Sequence, residues 1–265
     1  MIEMTNDPQQ CASDALWDAW VERRCMPALP DDVRPATRPQ GYDIQQRIER
    51  RSQAPLFGWK IAATSKAGQA HINVDGPLAG RLLRERVHED GATVACGDHP
   101  QMRVAEAEFA FRMGRRLPPS PRPYTVDEVL EAVATLHPAI ELPDSRFDDF
   151  TQVGAPQLIA DNACAHYFVL GGEAPALWRD LDLVEHRVLG VVAGKLEREG
   201  KGANVLGDPR VALTWLVNEL SALRIPLETG QVVTTGTCLV PLEVASGDRV
   251  RMDFGVLGSV GVHIR

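Results

Sequence analysis

Cysteine is sparse and unpaired in this sequence. Its five residues, Cys11, Cys25, Cys96, Cys164 and Cys238, never stand as CxxC. Neither a zinc ribbon nor a disulfide framework is indicated, and a reduced, cytoplasmic setting is expected. Basic charge is also in deficit, with 28 Lys and Arg against 36 Asp and Glu and a formal net charge of -8. A nucleic-acid binder normally carries a basic stripe. The nearest candidate, Arg112, Arg115, Arg116 and Arg122, is broken by prolines and reads as a solvated loop. No apolar run approaches the roughly 18 residues of a membrane helix, and MIEMTNDPQQ lacks the charged-then-apolar order of a signal peptide. No membrane association is expected. GxGxxG and GxxxxGK[ST] cradles are missing, and the histidines show no HExxH or HxH spacing.

What is present is ordinary globular material. At 265 residues, 44% apolar and 24% charged, the chain can bury a large core in one or two domains. Leu16, Trp17, Trp20 and Val21 recur at i, i+1, i+4 and i+5, which predicts a helix over about 13–25. The proline-rich MPALPDDVRPATRP reads as an extended connector, and YDIQQRIERRS predicts a second helix over about 42–52. Beyond residue 55 the texture turns to short, β-rich segments: LFGWKIAA, LAGRLL, MRVAEAEFAFRM, HPAIEL, LVEHRVLGVVAG, GQVVTTGTCLV, DRVRMDF and GSVGVHI. Helices are predicted among them at 126–136, behind a Thr125–Glu128 capping box, at about 158–166, and at 209–223 behind Asp208 and Pro209. Strands dominate and strict βαβ alternation is missing. This predicts an α+β class, a mixed β roll or barrel over 56–265 with a helical N-terminal lobe over 1–55.

Several lone charges sit where apolar neighbours surround them. In VAEAEFAF (104–111), Glu106 and Glu108 are two apart, so on a strand they share a face, opposite Ala105, Ala107, Phe109, Phe111 and Met113. Glu141 stands alone in HPAIELP, Lys60 in LFGWKIAA, and Asp161 in QLIADNACAHYF. Singly, each reads as a solvated surface residue. As a set they point elsewhere. Two carboxylates at that separation repel by about 3 kcal/mol at an effective dielectric of about 20, and a third worsens the clash unless a divalent cation neutralises it. An all-oxygen donor set favours Mg²⁺ or Mn²⁺ over Zn²⁺. Burial and the metal's charge would lower the pKa of a nearby Lys60, suiting it to proton transfer.

With these residues in view, the chain resembles the 2-oxopent-4-enoate hydratase and 4-oxalocrotonate decarboxylase family of the fumarylacetoacetate hydrolase superfamily. The similar stretches are GWKIAATSKAGQ (58–69), EAEFAF (106–111), PAIELPDSR (138–146) and IADNACA (159–165). GDPRVALTWLVNEL (207–220), GQVVTTGT (230–237) and GDRVRMDFGVLGSVGVHI (247–264) continue it. The resemblance implies Glu106, Glu108 and Glu141 as metal carboxylates and Lys60 as the active-site lysine. It implies Asp161 as a further polar active-site group, Thr237 as a substrate contact, and Ser65 and Gly236 as pocket lining. A mixed β roll, a homo-oligomer and association with a partner enzyme of the same pathway also follow from it. One stretch departs from the pattern. Where the family's hydratases carry a VDEPD[FY]G-like segment, this chain has VDGPLAGRLL (74–83), keeping Asp75 for proton handling or a turn cap and adding Arg81.

The expected activity is a metal-dependent lyase acting on a small 2-oxo or 2-hydroxydienoic acid in aromatic catabolism. The substrate's C1 carboxylate and C2 oxygen would chelate the metal, and water would add at C4 to give a 4-hydroxy-2-oxo acid. Lys60 would transfer protons, with Asp161 or a water assisting. The nearest alternative is decarboxylation of 2-oxohex-3-enedioate, whose second carboxylate Arg81 or Arg146 would receive. A structural pair of Arg146 with Asp144 or Asp148 competes with that role. An acylpyruvate hydrolase using His71 with Glu85 or Glu89, and an inactive binding homologue, are further alternatives.

Overall fold

The computed structural model describes residues 7–95 and 101–265; residues 1–6, Cys96 and His99 lie outside the described residues. Helix α1 (Pro8–Glu22) starts at Asp7, whose carboxylate accepts from the Gln9 N–H, with proline in the first turn. It begins earlier than the apolar stripe predicts and buries Leu16 and Trp20, whereas Val21 is exposed. Helix α2 (Arg38–Gln45) opens on a Thr37–Gln40 capping box, so the last two residues of the predicted connector are helical. A 3₁₀ turn over Gln46–Arg51 continues it. The shorter helices are α3 (Lys66–His71), α4 (Val126–Leu130) and α5 (Gly154–Ala160). Helix α6 (Pro209–Ala222) is capped by Asp208 and buries Ala212, Leu213, Leu216, Val217 and Leu220 along one stripe. Among the described residues no helix is long and apolar enough to cross a membrane.

Thirteen strands are described: β1 (Gly58–Ala62), β2 (Leu78–Leu82), β3 (Val87–Glu89), β4 (Thr93–Val94), β5 (Val104–Met113), β6 (Val133–Leu142) and β7 (Tyr167–Leu170), followed by β8 (Arg187–Val192), β9 (Leu196–Lys201), β10 (Val232–Thr237), β11 (Leu242–Glu243), β12 (Arg249–Asp253) and β13 (Ser259–Ile264). One mixed sheet runs β2-β1-β10-β5-β6-β7-β3, with β11 also on β5, and a second runs β4-β13-β12-β8-β9. The architecture is the α+β, mixed-sheet arrangement expected from the sequence.

Residue alternation on the long central strand β5 organises the rest. Ala105, Ala107, Phe109, Phe111 and Met113 join a continuous core with Val188, Met252, Val260 and Val262 of the second sheet. The other face of β5 carries Glu106 and Glu108 and then Ala110, which packs with Leu82, Ala139, Phe168 and Val232. Lys60, Thr234 and Ala110 share one row of the sheet, because Lys60 pairs with Thr234 and Thr234 with Ala110. That row therefore faces the same side as the two glutamates.

Candidate metal centre

Strand register brings the three carboxylates together. On the antiparallel β5–β6 pair, Glu106 is directly opposite Glu141 and Glu108 is opposite Ala139, so all three side chains rise from one face. One oxygen from each lies within 4.8 Å of the other two. Like charges facing each other across strands are destabilising, and here Glu108 and Glu141 are buried while Glu106 is half-buried at the edge of a cavity. Burial first, and then Glu141, push the Glu106 carboxyl up to about 7. Burial, Glu141 and Glu106 raise Glu108 well above the usual carboxylate range. Glu108 Oε2 accepts the Gly236 N–H at 2.7 Å and the Thr234 hydroxyl. Its Oε1 and both oxygens of Glu141 are buried without a hydrogen-bond partner. Converging, orphaned carboxylate oxygens fit a hard divalent cation, which would satisfy them and cancel their repulsion together.

Lys60 closes the group from β1. Its ammonium lies 2.9 Å from Glu141 Oε1, an ion pair that lacks the alignment of a hydrogen bond. Nζ donates instead to the Ala163 carbonyl at 2.9 Å. The lowered pKa expected for Lys60 is not what the protein's own groups produce. Burial acts in that direction, but the Glu141, Glu106 and Glu108 charges outweigh it and raise the value.

The acceptor carbonyl belongs to an unusual turn. Asn162, Ala163 and Cys164 have φ of 54°, 50° and 60°, three left-handed residues in succession without a glycine. An L-residue there costs about 1–2 kcal/mol, less for asparagine. Asn162 Oδ1 accepts the Arg81 N–H at 2.7 Å, and Nδ2 donates to the Arg81 carbonyl at 2.8 Å. Gly80 makes the close approach possible: a Cβ there would meet the Asn162 carbonyl oxygen at 2.5 Å and the Lys60 stem at 3.0 Å. The Cys164 thiol is pushed up to about 12 by burial, with the Asp161 charge adding to the rise, and stays protonated.

A cavity of about 1020 Å³ opens in front of these groups. Lys60, Glu106, Gly236 and Thr237 line its inner wall, and Ser65, Lys66 and His71 border it from α3 and its cap. Ile72, Met102, Leu206, Leu239 and Val240 make much of the remaining wall apolar. Ser65 caps α3 by accepting the Gly68 N–H, and the Thr237 hydroxyl donates to the Leu239 carbonyl. Gly236, at φ 93°, abuts Thr64 so closely that no Cβ fits. Asp75 sits exposed at the rim, paired with Arg38.

Two expected site residues join neither this cavity nor the carboxylate cluster. Arg81 pairs across β2–β1 with Trp59, not with Lys60, so its side chain leaves the opposite face. There it bonds Glu49 and Gln45, with its guanidinium 4.6 Å over the Trp59 ring. Asp161 is buried and ion-paired with Arg146, and it accepts the Ser145 hydroxyl at 2.7 Å. Burial nevertheless raises its pKa. Arg146 thus takes Asp161, rather than the carboxylate of Asp144 or Asp148, and is not free to receive a substrate. His71 borders the cavity, but Glu85 bonds the Ser52 hydroxyl and neither Glu85 nor Glu89 reaches the wall. Conversely, Thr234, Asn162 and the Ala163 carbonyl were not singled out from the sequence. The only available signals were their places in TTGT and IADNACA.

Comparison with known proteins agrees with this geometry. Residues 81–265 match the family described as fumarylacetoacetate (FAA) hydrolase C-terminal. The chain is 32% identical over 254 residues to 2-keto-4-pentenoate hydratase 1 of Dechloromonas aromatica (strain RCB), covering 95% of each chain. It is 31% identical over 253 residues to 2-hydroxyhexa-2,4-dienoate hydratase of Comamonas testosteroni, covering 93% of this chain and 94% of that one. The solved structure of 4-oxalocrotonate decarboxylase from Pseudomonas putida G7, complexed with magnesium and adipate, superposes with a TM-score of 0.87 at 27% identity over 99% of both chains.

Proposed function

The chain belongs to the fumarylacetoacetate (FAA) hydrolase C-terminal family, and from that premise we propose that it is a divalent-metal-dependent hydro-lyase. It converts 2-hydroxypenta-2,4-dienoate to 4-hydroxy-2-oxopentanoate, a step of aromatic catabolism. The observation that carries this reading is the convergence of Glu106, Glu108, Glu141 and Lys60 in one cluster, of which Lys60 and Glu106 line the cavity. The three glutamates hold Mg²⁺ or Mn²⁺, which supplies Lewis-acid polarisation of a 2-oxo group when bound.

The chain's own residues do the rest. The 2-hydroxyl proton leaves while a proton arrives at C5, giving 2-oxopent-3-enoate. A water oxygen then bonds to C4 and a proton to C3, so that one water is added overall. Lys60, poised between the Ala163 carbonyl and Glu141, moves these protons. Gly236, Thr237 and Ser65 border the substrate, and Asp75 lies at the rim. The apolar outer wall faces the hydrocarbon end of the substrate.

Decarboxylation of 2-oxohex-3-enedioate is the second reading, favoured by the likeness to the magnesium- and adipate-bound decarboxylase. A second carboxylate would find Lys66 and His71 at the wall, since Arg81 faces away and no arginine borders the cavity among the described residues. Hydration is placed first because hydratases match at 31–32% identity over nearly the whole chain. Incubation with each acid and Mg²⁺ tests the choice. Loss of dienol absorbance with formation of the 4-hydroxy-2-oxo acid is expected from the first, and CO₂ release from the dioate would replace it by the second reading. The same reading carries a cytoplasmic homo-oligomer that associates with a pathway enzyme, to be checked by light scattering with and without the enzyme that cleaves the product.

A further inference from the structure

Helices commonly end with a single left-handed residue, usually glycine. Here α5 is followed by three without a glycine, so ending the helix does not account for the turn. Its second feature is the place of its clamp. Strand β2 is the edge of its sheet, where outward backbone groups lack a strand partner. Asn162 offers one acceptor to the Arg81 N–H and one donor to the Arg81 carbonyl, as a neighbouring strand would. The third feature is what the turn presents: the Ala163 carbonyl, which accepts from Lys60 Nζ at 2.9 Å. Gly80 keeps the space open in which the Asn162 backbone and the Lys60 stem meet.

We propose that Asn162 is a positioning residue: its amide, clamped on the Arg81 backbone, holds the Asn162–Cys164 turn so that the Ala163 carbonyl aims the Lys60 ammonium across the carboxylate cluster. The inference rests on the lyase reading, in which Lys60 moves the protons. Long lysine side chains have many rotamers, and Glu141 alone fixes distance without direction. A second acceptor on a rigid turn supplies the direction. Because Asn162 bonds none of the three glutamates, its loss should spare metal binding; Ala163 and Cys164 of its turn do line the cavity, so KM is expected to move less than kcat.

Asn162→Gly and Asn162→Asp test this in the full-length protein. Glycine tolerates the left-handed conformation but has no amide; aspartate keeps the acceptor for the Arg81 N–H and loses the donor to the Arg81 carbonyl. In the glycine variant Mg²⁺ affinity by calorimetry is expected to stay within about twofold, and KM within about threefold. Its kcat is expected to fall about tenfold or more, the scale on which small misplacements act, with aspartate intermediate. A crystal structure of metal-free Asn162→Gly should show Lys60 Nζ beyond hydrogen-bond distance from the Ala163 oxygen. Unchanged kcat, an undisturbed Lys60, or Mg²⁺ affinity falling in step with turnover would each overturn the proposal. Inactivity of the wild type on 2-oxo and 2-hydroxydienoic acids would count against the lyase reading instead, and the crystal structure would still decide on the clamp. Should glycine fail to fold, the same measurements on aspartate decide it.

Discussion

At the scale of single residues, the carboxylate cluster is a conflict that a bound cation would resolve. Glu108 is fully buried with one oxygen unpartnered, and its neighbours Glu106 and Glu141 oppose its charge. In the proposed metal centre Glu108→Ala would remove one carboxylate donor, and it is expected to abolish Mg²⁺ binding in a calorimetric titration. It also relieves repulsion while orphaning the Thr234 hydroxyl and the Gly236 N–H, losses of about 1–3 kcal/mol each way. Metal-free thermal stability should therefore change little, and a collapse of the melting transition in chelator would show that the glutamate is structural. Lys60→Ala makes the complementary case. It should bind Mg²⁺ and oxalate like the parent and lose about a hundredfold or more in kcat, in line with removal of a proton-transfer group. Retained turnover would take lysine out of the mechanism. These charges were legible because a lone carboxylate or ammonium in an apolar run has few stable explanations. Arg81 and Asp161 lie elsewhere: Arg81 meets Glu49 on the face of β2 set by its pairing with Trp59, and Asp161 meets Arg146 at the end of α5, contacts that sequence spacing does not show.

At the scale of elements, the capping signals read for α4 and α6 located their starts, whereas the apolar period alone placed the starts of α1, α2 and α5 too late. The Thr125–Glu128 capping box opens α4 where expected, yet the helix stops at Leu130 and Val133–Leu142 becomes a strand. Both patterns were available to VATLHPAI, and pairing along nearly the whole of β5 decided for the strand, a tertiary override of a local preference. Helix α5 begins earlier than predicted, behind Gly154 at φ 77°, and ends at Ala160, where the left-handed turn takes over. Sequence spacing cannot foresee that turn, because the reason for it lies on β2 and β1. Helix α6 was the most legible element, with its cap, its first-turn proline and one apolar stripe in agreement. Asp208 accepts the Arg210 N–H at 2.8 Å, so Asp208→Ala is expected to cost about 1 kcal/mol of stability in urea unfolding. No change in the midpoint would mean that packing of the stripe alone fixes the helix start.

At the scale of the whole molecule, the fold class was readable, but the way the two parts join was not. A boundary at residues 55/56, proposed from sequence texture, separates segments that share a core: Leu16, Leu29 and Ile44 pack with Phe147 and Ala160. The junction also contains a pH-sensitive contact. Trp20 of α1 donates its indole N–H to His166 Nδ1 at 2.7 Å, which requires an unprotonated ring nitrogen. Burial first, then Arg146, Arg86 and Arg23, hold the His166 pKa well below its ordinary 6.5. Unfolding frees the imidazole to protonate, so between 6.5 and the folded value the unfolded chain binds more protons and stability falls as pH falls. The slope reaches at most about 1.4 kcal/mol per pH unit. Raised carboxyls such as Asp161 and Asp144 act in the opposite sense, so the histidine must be isolated by difference. His166→Gln keeps an oxygen for the Trp20 indole and removes the titration. Measured by urea unfolding from pH 7.5 to 5, the variant should gain on the parent steadily below pH 6.5. Parallel curves would mean that the folded protein accepts the proton at His166, and that the N-terminal helix is not docked through a neutral imidazole.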